Sequence, residues 1–466
     1  MTSTYRWMND LYSAQRRSAT VFLILAALLS AAGGAPAADK SKMHAAADSL
    51  AILREPMPAI VSNFDSTTSI DEYLRVAVER NPGLRSAYEQ WIADLKRSDY
   101  AGALPDPMFS YGYFIESVET RVGPQEQRFG VRQSFPWFGT LGAKKDIAFA
   151  KSQASSRRFE AAKFELFYDV KAAYYDYYFL GQDLLITREN LQLLKFWESV
   201  AQTKYRVGLK QHQDVIKVQV ELGKLEDHLR TLQEKKAPAA ARLRELLNLP
   251  DTVEIPIPRS ISVAEVPLAE DSVMLAITRR NPGLRALEHV IEGERAGERL
   301  AGKQAMPSFS IGFDYIQTGE AINPLTPESG KDPWMVGASV SLPIWFGKNS
   351  ARKEEAEARR RIAEYTLQDS ENRLKALTER LLFEYSDALR KTRLYRDGLV
   401  PKAEQSLNTI YTAYQAGETD FLNLLDAQRQ LLDFQLTVAR EQSRLATKRA
   451  ELEMLSGTEL DAYLHH

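Results

Sequence analysis

The chain has 466 residues, 44% of them hydrophobic and 26% charged, with 60 Lys and Arg against 62 Asp and Glu. A formal net charge of -2 argues against nucleic acid as the main partner, because phosphate binding needs a basic surface. The absence of cysteine excludes disulfides, thiolate metal sites and a catalytic thiol, and leaves no cysteine to accept a lipid.

The first 40 residues stand apart. Arg16 and Arg17 precede an apolar run over 21–32, and Ala35-Pro36-Ala37 precedes Ala38. This is the layout of a secretory signal peptide, residues 1–37, with cleavage after Ala37. A single membrane anchor is the rival reading, but the run is short for a span. Mean hydropathy is -0.35, and no later segment is long and apolar enough for a transmembrane helix.

Two helices follow, over 71–80 and 83–103. They break at Asn81-Pro82-Gly83, because the residue before proline disfavours the helical conformation. Two strands come next. Over 107–117, Phe109, Tyr111, Tyr113 and Ile115 alternate with Ser110, Gly112 and Glu116. Over 127–135, Phe129, Val131 and Phe135 alternate with Arg128, Gly130, Arg132 and Ser134. Such alternation marks strands with one apolar face. From Leu141 to Arg206 no proline occurs and only Gly181 interrupts, which predicts a helical rod of about 100 Å. Phe159, Leu166, Ala173, Leu180 and Leu194 form a heptad seam, with Val170, Tyr177, Leu184 and Leu191 beside it. The rod turns near Gly208 and returns over 213–248.

The chain then says nearly the same thing again. Asn81-Pro82-Gly83-Leu84-Arg85 returns as Asn281-Pro282-Gly283-Leu284-Arg285, and Trp137-Phe138-Gly139 as Trp345-Phe346-Gly347. Tyr205 and Gly208 return as Tyr414 and Gly417. The second strands fall at 308–318 and 334–344, and the second hairpin at 348–455, with Leu425, Leu432, Ala439 and Ala446 on its seam. This divides the chain into a first repeat, 38–250, a second repeat, 251–457, and a tail, 458–466. Pro238 and Pro401 have no counterpart in the other copy and should kink or break their helices.

Strands of this length with aromatic ends suit a membrane barrel, although a soluble sandwich gives the same alternation. Four strands cannot close a barrel, and open edges are not tolerated in lipid. The membrane reading therefore demands oligomerisation, and three chains giving twelve strands is the simplest closed solution. The fold class is then an α+β membrane protein: a trimeric 12-stranded transmembrane β-barrel continued by a long α-helical coiled-coil tunnel, with an internal two-fold repeat.

Three motifs make the order of elements specific. They are Asn-Pro-Gly-Leu at 81–84 and 281–284, Phe-Pro-Trp-Phe-Gly at 135–139 with Leu-Pro-Ile-Trp-Phe-Gly at 342–347, and Tyr-Gln-Ala-Gly-Glu-Thr-Asp-Phe-Leu-Asn-Leu-Leu-Asp-Ala-Gln at 414–428. With these, essentially the whole mature chain resembles the TolC family of outer-membrane efflux proteins. The resemblance implies a homotrimer in outer-membrane lipid, with a long periplasmic tunnel. It also implies a periplasmic adaptor and an inner-membrane pump as partners, no cofactor and no catalysis. It further implies a gate where the hairpins turn. Asp214, six residues after Gly208, pairs with Tyr414, three before Gly417. Asp426 lines the constriction, and Asp420 supplies charge nearby. Gly208 and Gly417 make the turns that dock the adaptor. Thr419 and Asn423 stand where a basic residue and a second aspartate occur in the family. A ring of carboxylates would attract cations. Solvated carboxylates on helix faces are the plainer reading of Asp214, Asp420 and Asp426.

No other chemistry presents itself. The six histidines make no metal-site spacing, although His212 stands near the tip, where passing cations could touch it. No phosphate loop or catalytic constellation appears. The expected function is a passive outer-membrane duct for small solutes, with heavy-metal cations and drugs as candidate cargo. A type I secretion duct is the alternative. A periplasmic coiled-coil scaffold is the alternative of another class.

Overall fold

The computed structural model describes residues 37–55, 64–207, 212–323 and 325–460. The signal-peptide reading over 1–37, apart from Ala37, and the turn at Gly208 lie outside them. Helices α1 (Ala37–Ser49), α2 (Ile70–Arg80) and α3 (Pro82–Tyr100) precede strands β1 (Met108–Thr120) and β2 (Gly123–Phe135). Helices α4 (Thr140–Arg206), α5 (His212–Leu247), α6 (Glu270–Arg280) and α7 (Pro282–Gln304) follow. Strands β3 (Ser308–Thr318) and β4 (Trp334–Ser341) lead to α8 (Phe346–Arg393), α9 (Val400–Ala416) and α10 (Phe421–Ser456). Among the described residues, no helix is long and apolar enough to cross a membrane.

Two compact units form, and each draws on both halves of the sequence. One contains Ile92–Ala154 and Glu288–Thr366. The other contains Ser49–Trp91, Ser155–Leu287 and Leu367–His466.

The first unit holds the sheet. Its four strands run antiparallel in the order β1-β2-β3-β4. The register sorts side chains by chemistry. Phe109 faces Val131, Val131 faces Phe313, and Phe313 faces Val336. The next row is Tyr111, Phe129, Tyr315 and Trp334, whose neighbouring rings lie 5.2, 6.2 and 5.2 Å apart. Side chains alternate between faces along a strand, so the other face carries Ser110, Gly130 and Asp314, then Gly112 and Arg128, then Ser134, Ser310 and Ser339. Arg128 pairs with Asp314 at 3.0 Å on this face. The apolar face is uncovered: Ile115 is 93% exposed, Val336 75% and Trp334 68%. Among the described residues, the outer edges of β1 and β4 pair with no strand. The link between β1 and β2 is a two-residue turn, Arg121-Val122, rather than the gap over 118–126 left between the two predicted strands. The ladder continues to Thr120 and Gly123 past an irregularity between Tyr113 and Val118.

The second unit is a helical bundle. On α4, Phe159, Leu166, Val170, Tyr177, Leu184, Leu191 and Leu194 are buried, as the heptad pattern requires. Helix α4 runs on through Gly181, where a side chain would strike Ile257 at 2.2 Å. Pro238 lies inside α5 without ending it. Ahead of Pro401 the chain widens into a π-helical turn over Leu394–Leu399, and α9 restarts with the proline in its first turn. The Val400 N–H still donates to the Tyr395 carbonyl five residues back, so the wider turn carries the helix past a proline that has no N–H of its own.

The Asn-Pro-Gly-Leu-Arg motif works as a clamp. Asn81 Oδ1 accepts the Leu84 N–H at 3.0 Å and caps α3, while its Nδ2 donates to the Leu246 carbonyl at 2.9 Å near the end of α5. Asn281 does the same, accepting from Leu284 at 2.9 Å and donating to Leu455 at 2.9 Å near the end of α10. Arg85 and Arg285 donate back to the carbonyls of residues 79 and 279. Each asparagine thus caps one helix and satisfies the terminal carbonyls of another.

Replacing the caps should therefore cost stability. Asn281→Ala should destabilise by about 1–2 kcal/mol, and Asn281→Ser by less, since its hydroxyl keeps the capping acceptor and loses only the donor to Leu455. Thermal unfolding of the purified protein in detergent measures this. Equal midpoints for all three proteins would deny the clamp any role.

Candidate gate at the hairpin turns

Four helix ends meet in the second unit: the last turn of α4, the first of α5, the last of α9 and the first of α10. Beneath them lies a core that includes Leu194, Trp197, Val218, Leu407, Tyr414 and Phe421. Helix α9 stops because Gly417 takes φ 84° and ψ 10°. That left-handed conformation suits glycine. The Gly417 N–H donates to Tyr414 at 3.2 Å and the Glu418 N–H to Ala413 at 2.9 Å, a Schellman closure.

Tyr414 is the centre of the cluster. It is 1% exposed and meets the Phe421 ring edge-on at 5.4 Å. Burial, and then the negative charge of Asp214, push its phenol up to about 12, so it is neutral at physiological pH. Asp214 is itself buried in the first turn of α5, where the helix dipole favours a carboxylate. Asp214 thus acts on the Tyr414 phenol through its charge.

The other expected residues lie differently. Asp420 is an exposed residue at the start of α10, without a side-chain capping bond. Asp426 is exposed and bonded to Arg429 at 3.1 Å. Arg429 also binds Glu221 of α5, so it links the two hairpins. Burial acts to raise Glu221, but hydrogen bonds from Arg429 and Lys224 hold it below the usual carboxylate value. Asn423 donates to Thr419 at 2.9 Å, a local bond from α10's first turn back to the connection before it. His212 stacks against Tyr205 at 4.9 Å. Among the described residues no group of three His, Asp or Glu could hold a metal.

Lys204 was not singled out by the sequence motifs. Its Nζ donates to the Tyr414 carbonyl at 2.7 Å and the Gln415 carbonyl at 3.1 Å, and lies 4.5 Å from the Tyr414 ring centre. A cation is favoured there, at the C-terminus of α9. Lys204 therefore ties the end of the first rod to the turn of the second. A basic residue in the last turn of α4 was the available signal, but its partner lies 210 residues away.

The outer membrane efflux protein family matches the chain over residues 76–249 and 276–458. The chain belongs to that family. Its resemblance to the TolC family thus holds. As a family member it is an outer-membrane efflux protein with a long periplasmic extension, and it is not an enzyme. A curated relative is Nodulation protein T of Rhizobium leguminosarum bv. trifolii, 21% identical over 403 residues, covering 84% of this chain and 85% of the relative. Among solved structures, the outer-membrane channel OprN superposes with a TM-score of 0.72 at 19% identity, covering 86% of this chain and 94% of its own. The outer membrane protein VceC of Vibrio cholerae gives 0.70 at 17% identity, covering 84% and 96%.

Two outcomes test the turn cluster. Lys204→Met removes two charge-assisted bonds and should raise the rate of chymotryptic cleavage at the turns by about tenfold, with Lys204→Arg nearer wild type. Unchanged cleavage in Lys204→Met would remove the link. Glu221 has a lowered folded value, so its stabilisation is complete above the unfolded value of 4.5 and is lost as pH falls through the folded one. The thermal unfolding midpoint of the purified protein should fall below about pH 4.5, and Arg429→Gln should flatten that profile.

Proposed function

We propose that the chain is one protomer of a closed homotrimeric duct, the outer-membrane exit of a tripartite efflux system. One observation carries this reading: a four-stranded sheet with an apolar aromatic face, a Gly/Ser/charged face and two unpaired edges. In lipid every backbone group needs a partner, so β1 and β4 must each meet a strand of another copy. Three copies make twelve strands, with the aromatic face toward lipid and the polar face lining water. The helices of the two repeats, 38–250 and 251–457, supply the tunnel. An inner-membrane pump supplies the energy through a periplasmic adaptor that docks at the turns near Gly208 and Gly417.

The gate is closed in this reading by Tyr414 and Asp214, with Lys204 holding the α9 turn. Asp426 and Asp420 remain candidates for the narrowest ring. The bond from Arg429 offsets the charge of Asp426, so cation attraction there is weaker than three bare carboxylates would give. The cargo is small solutes.

Unheated detergent extracts should show a species of three chain masses that heating converts to one. A deletion strain carrying a rescue plasmid should separate the cargo classes. Sensitivity to copper, silver, zinc, cobalt or cadmium alone assigns metals; sensitivity to dyes, detergents and antibiotics assigns drugs. Tyr414→Phe with Asp214→Asn should admit a large hydrophilic antibiotic that the closed gate excludes. A monomer in mild detergent would sink the duct.

A further inference from the structure

The Trp-Phe-Gly motif that closes β2 builds a cleft of about 290 Å³ in the first unit. Trp137, Thr140, Lys144, Lys303 and Ser308 are among its lining residues, and no lining residue is a carboxylate. Neither lysine forms an ion pair among the described residues. The acid nearest in sequence to Lys144, Asp146, is committed to Arg299 at 3.2 Å. Gly139, at φ 77°, makes room for Lys303, whose Nζ a side chain there would strike at 2.9 Å. Among the described residues that ammonium has one acceptor, the Phe138 carbonyl at 3.3 Å.

Two further features point the same way. The cleft sits at the N-terminus of the 67-residue helix α4, whose partial positive charge favours an anion. Thr140, in the first turn, is 5% exposed, and its hydroxyl has no partner among the described residues. A buried hydroxyl left without a partner is costly, and a bound acceptor would satisfy it after a small side-chain rotation. Trp137 stacks on Phe309 of the apolar sheet face, with ring centres 5.8 Å apart, and so joins the cleft to that face.

We propose that this cleft binds the phosphate of a phospholipid headgroup. Lys144 and Lys303 supply the charge, Thr140 a hydroxyl donor, and Trp137 the apolar wall along which the acyl chains leave. The inference rests on the reading that the sheet crosses the membrane, which puts the strand ends at headgroup depth. The volume suits a phosphate with its glycerol and leaves the chains outside.

The test uses the purified full-length protein in non-ionic detergent, heated with dihexanoyl phosphatidylglycerol or with inorganic phosphate. The lipid should raise the unfolding midpoint by roughly 2–4 °C. Lys144→Gln with Lys303→Gln should abolish the shift, Thr140→Val should reduce it, and Lys402→Gln, an exposed charge in the other unit, should leave it unchanged. An equal shift with inorganic phosphate would overturn the lipid as the ligand. No shift, or a shift that survives the lysine substitutions, would overturn the site. Flotation of each variant with vesicles of phosphatidylethanolamine and phosphatidylglycerol is read in parallel. Protein that fails to float would refute the membrane reading itself; floating protein without the lysine-dependent shift would refute only the cleft.

Discussion

The structure depends first on where the backbone groups of four strands find partners. Inside the sheet the ladders satisfy β2 and β3 on both sides, while β1 and β4 keep one edge each. In water such edges are hydrated; in hydrocarbon each unsatisfied group costs several kcal/mol. The same strands carry Phe, Tyr, Trp, Val and Ile on one face and Gly, Ser, Arg and Asp on the other. An uncovered aromatic face would be an aggregation hazard on a free-standing soluble protein. Lipid on that face and a second copy at each edge remove both difficulties together.

The hairpin turns obey a related constraint, because their carbonyls and charges also need partners. The last turn of α9 uses a glycine closure and one lysine. Arg429 spends its charge on Glu221 and Asp426. Tyr414, neutral and enclosed, sits where a carboxylate of α5 can feel it. These bonds join distant segments of one chain, so disturbing any of them loosens a join between hairpins rather than a single helix. Such a cluster suits a gate, which must be held by few interactions to open at all.

Much of this was legible beforehand. Period-two alternation located the strands to within a few residues, and the heptads picked out the buried seam of α4. Asn-Pro-Gly-Leu marked helix boundaries, but not that each asparagine reaches a carbonyl 165 or 174 residues away. The gap over 118–126 between the two predicted strands became a tight turn, because Gly123 at φ 135° lets the ladder run on to Thr120. Pro238 stayed within its helix, since packing can outweigh one lost hydrogen bond. At the turns, motif spacing pointed to Tyr414 and Asp214, whose charge acts on that phenol. It missed Lys204, and it treated Asp426 without its arginine.

The amino-acid order by itself determined what repeats locally, namely helix and strand periods and the residues of each face, and with them the family. These follow from steric and solvation preferences that act over a few neighbouring residues. Only the tertiary structure decided which distant charges neutralise each other, which carbonyls the asparagines and Lys204 satisfy, and where two lysines are left facing a cleft without an acid. Those outcomes depend on contacts between segments tens to hundreds of residues apart, and no local period encodes them.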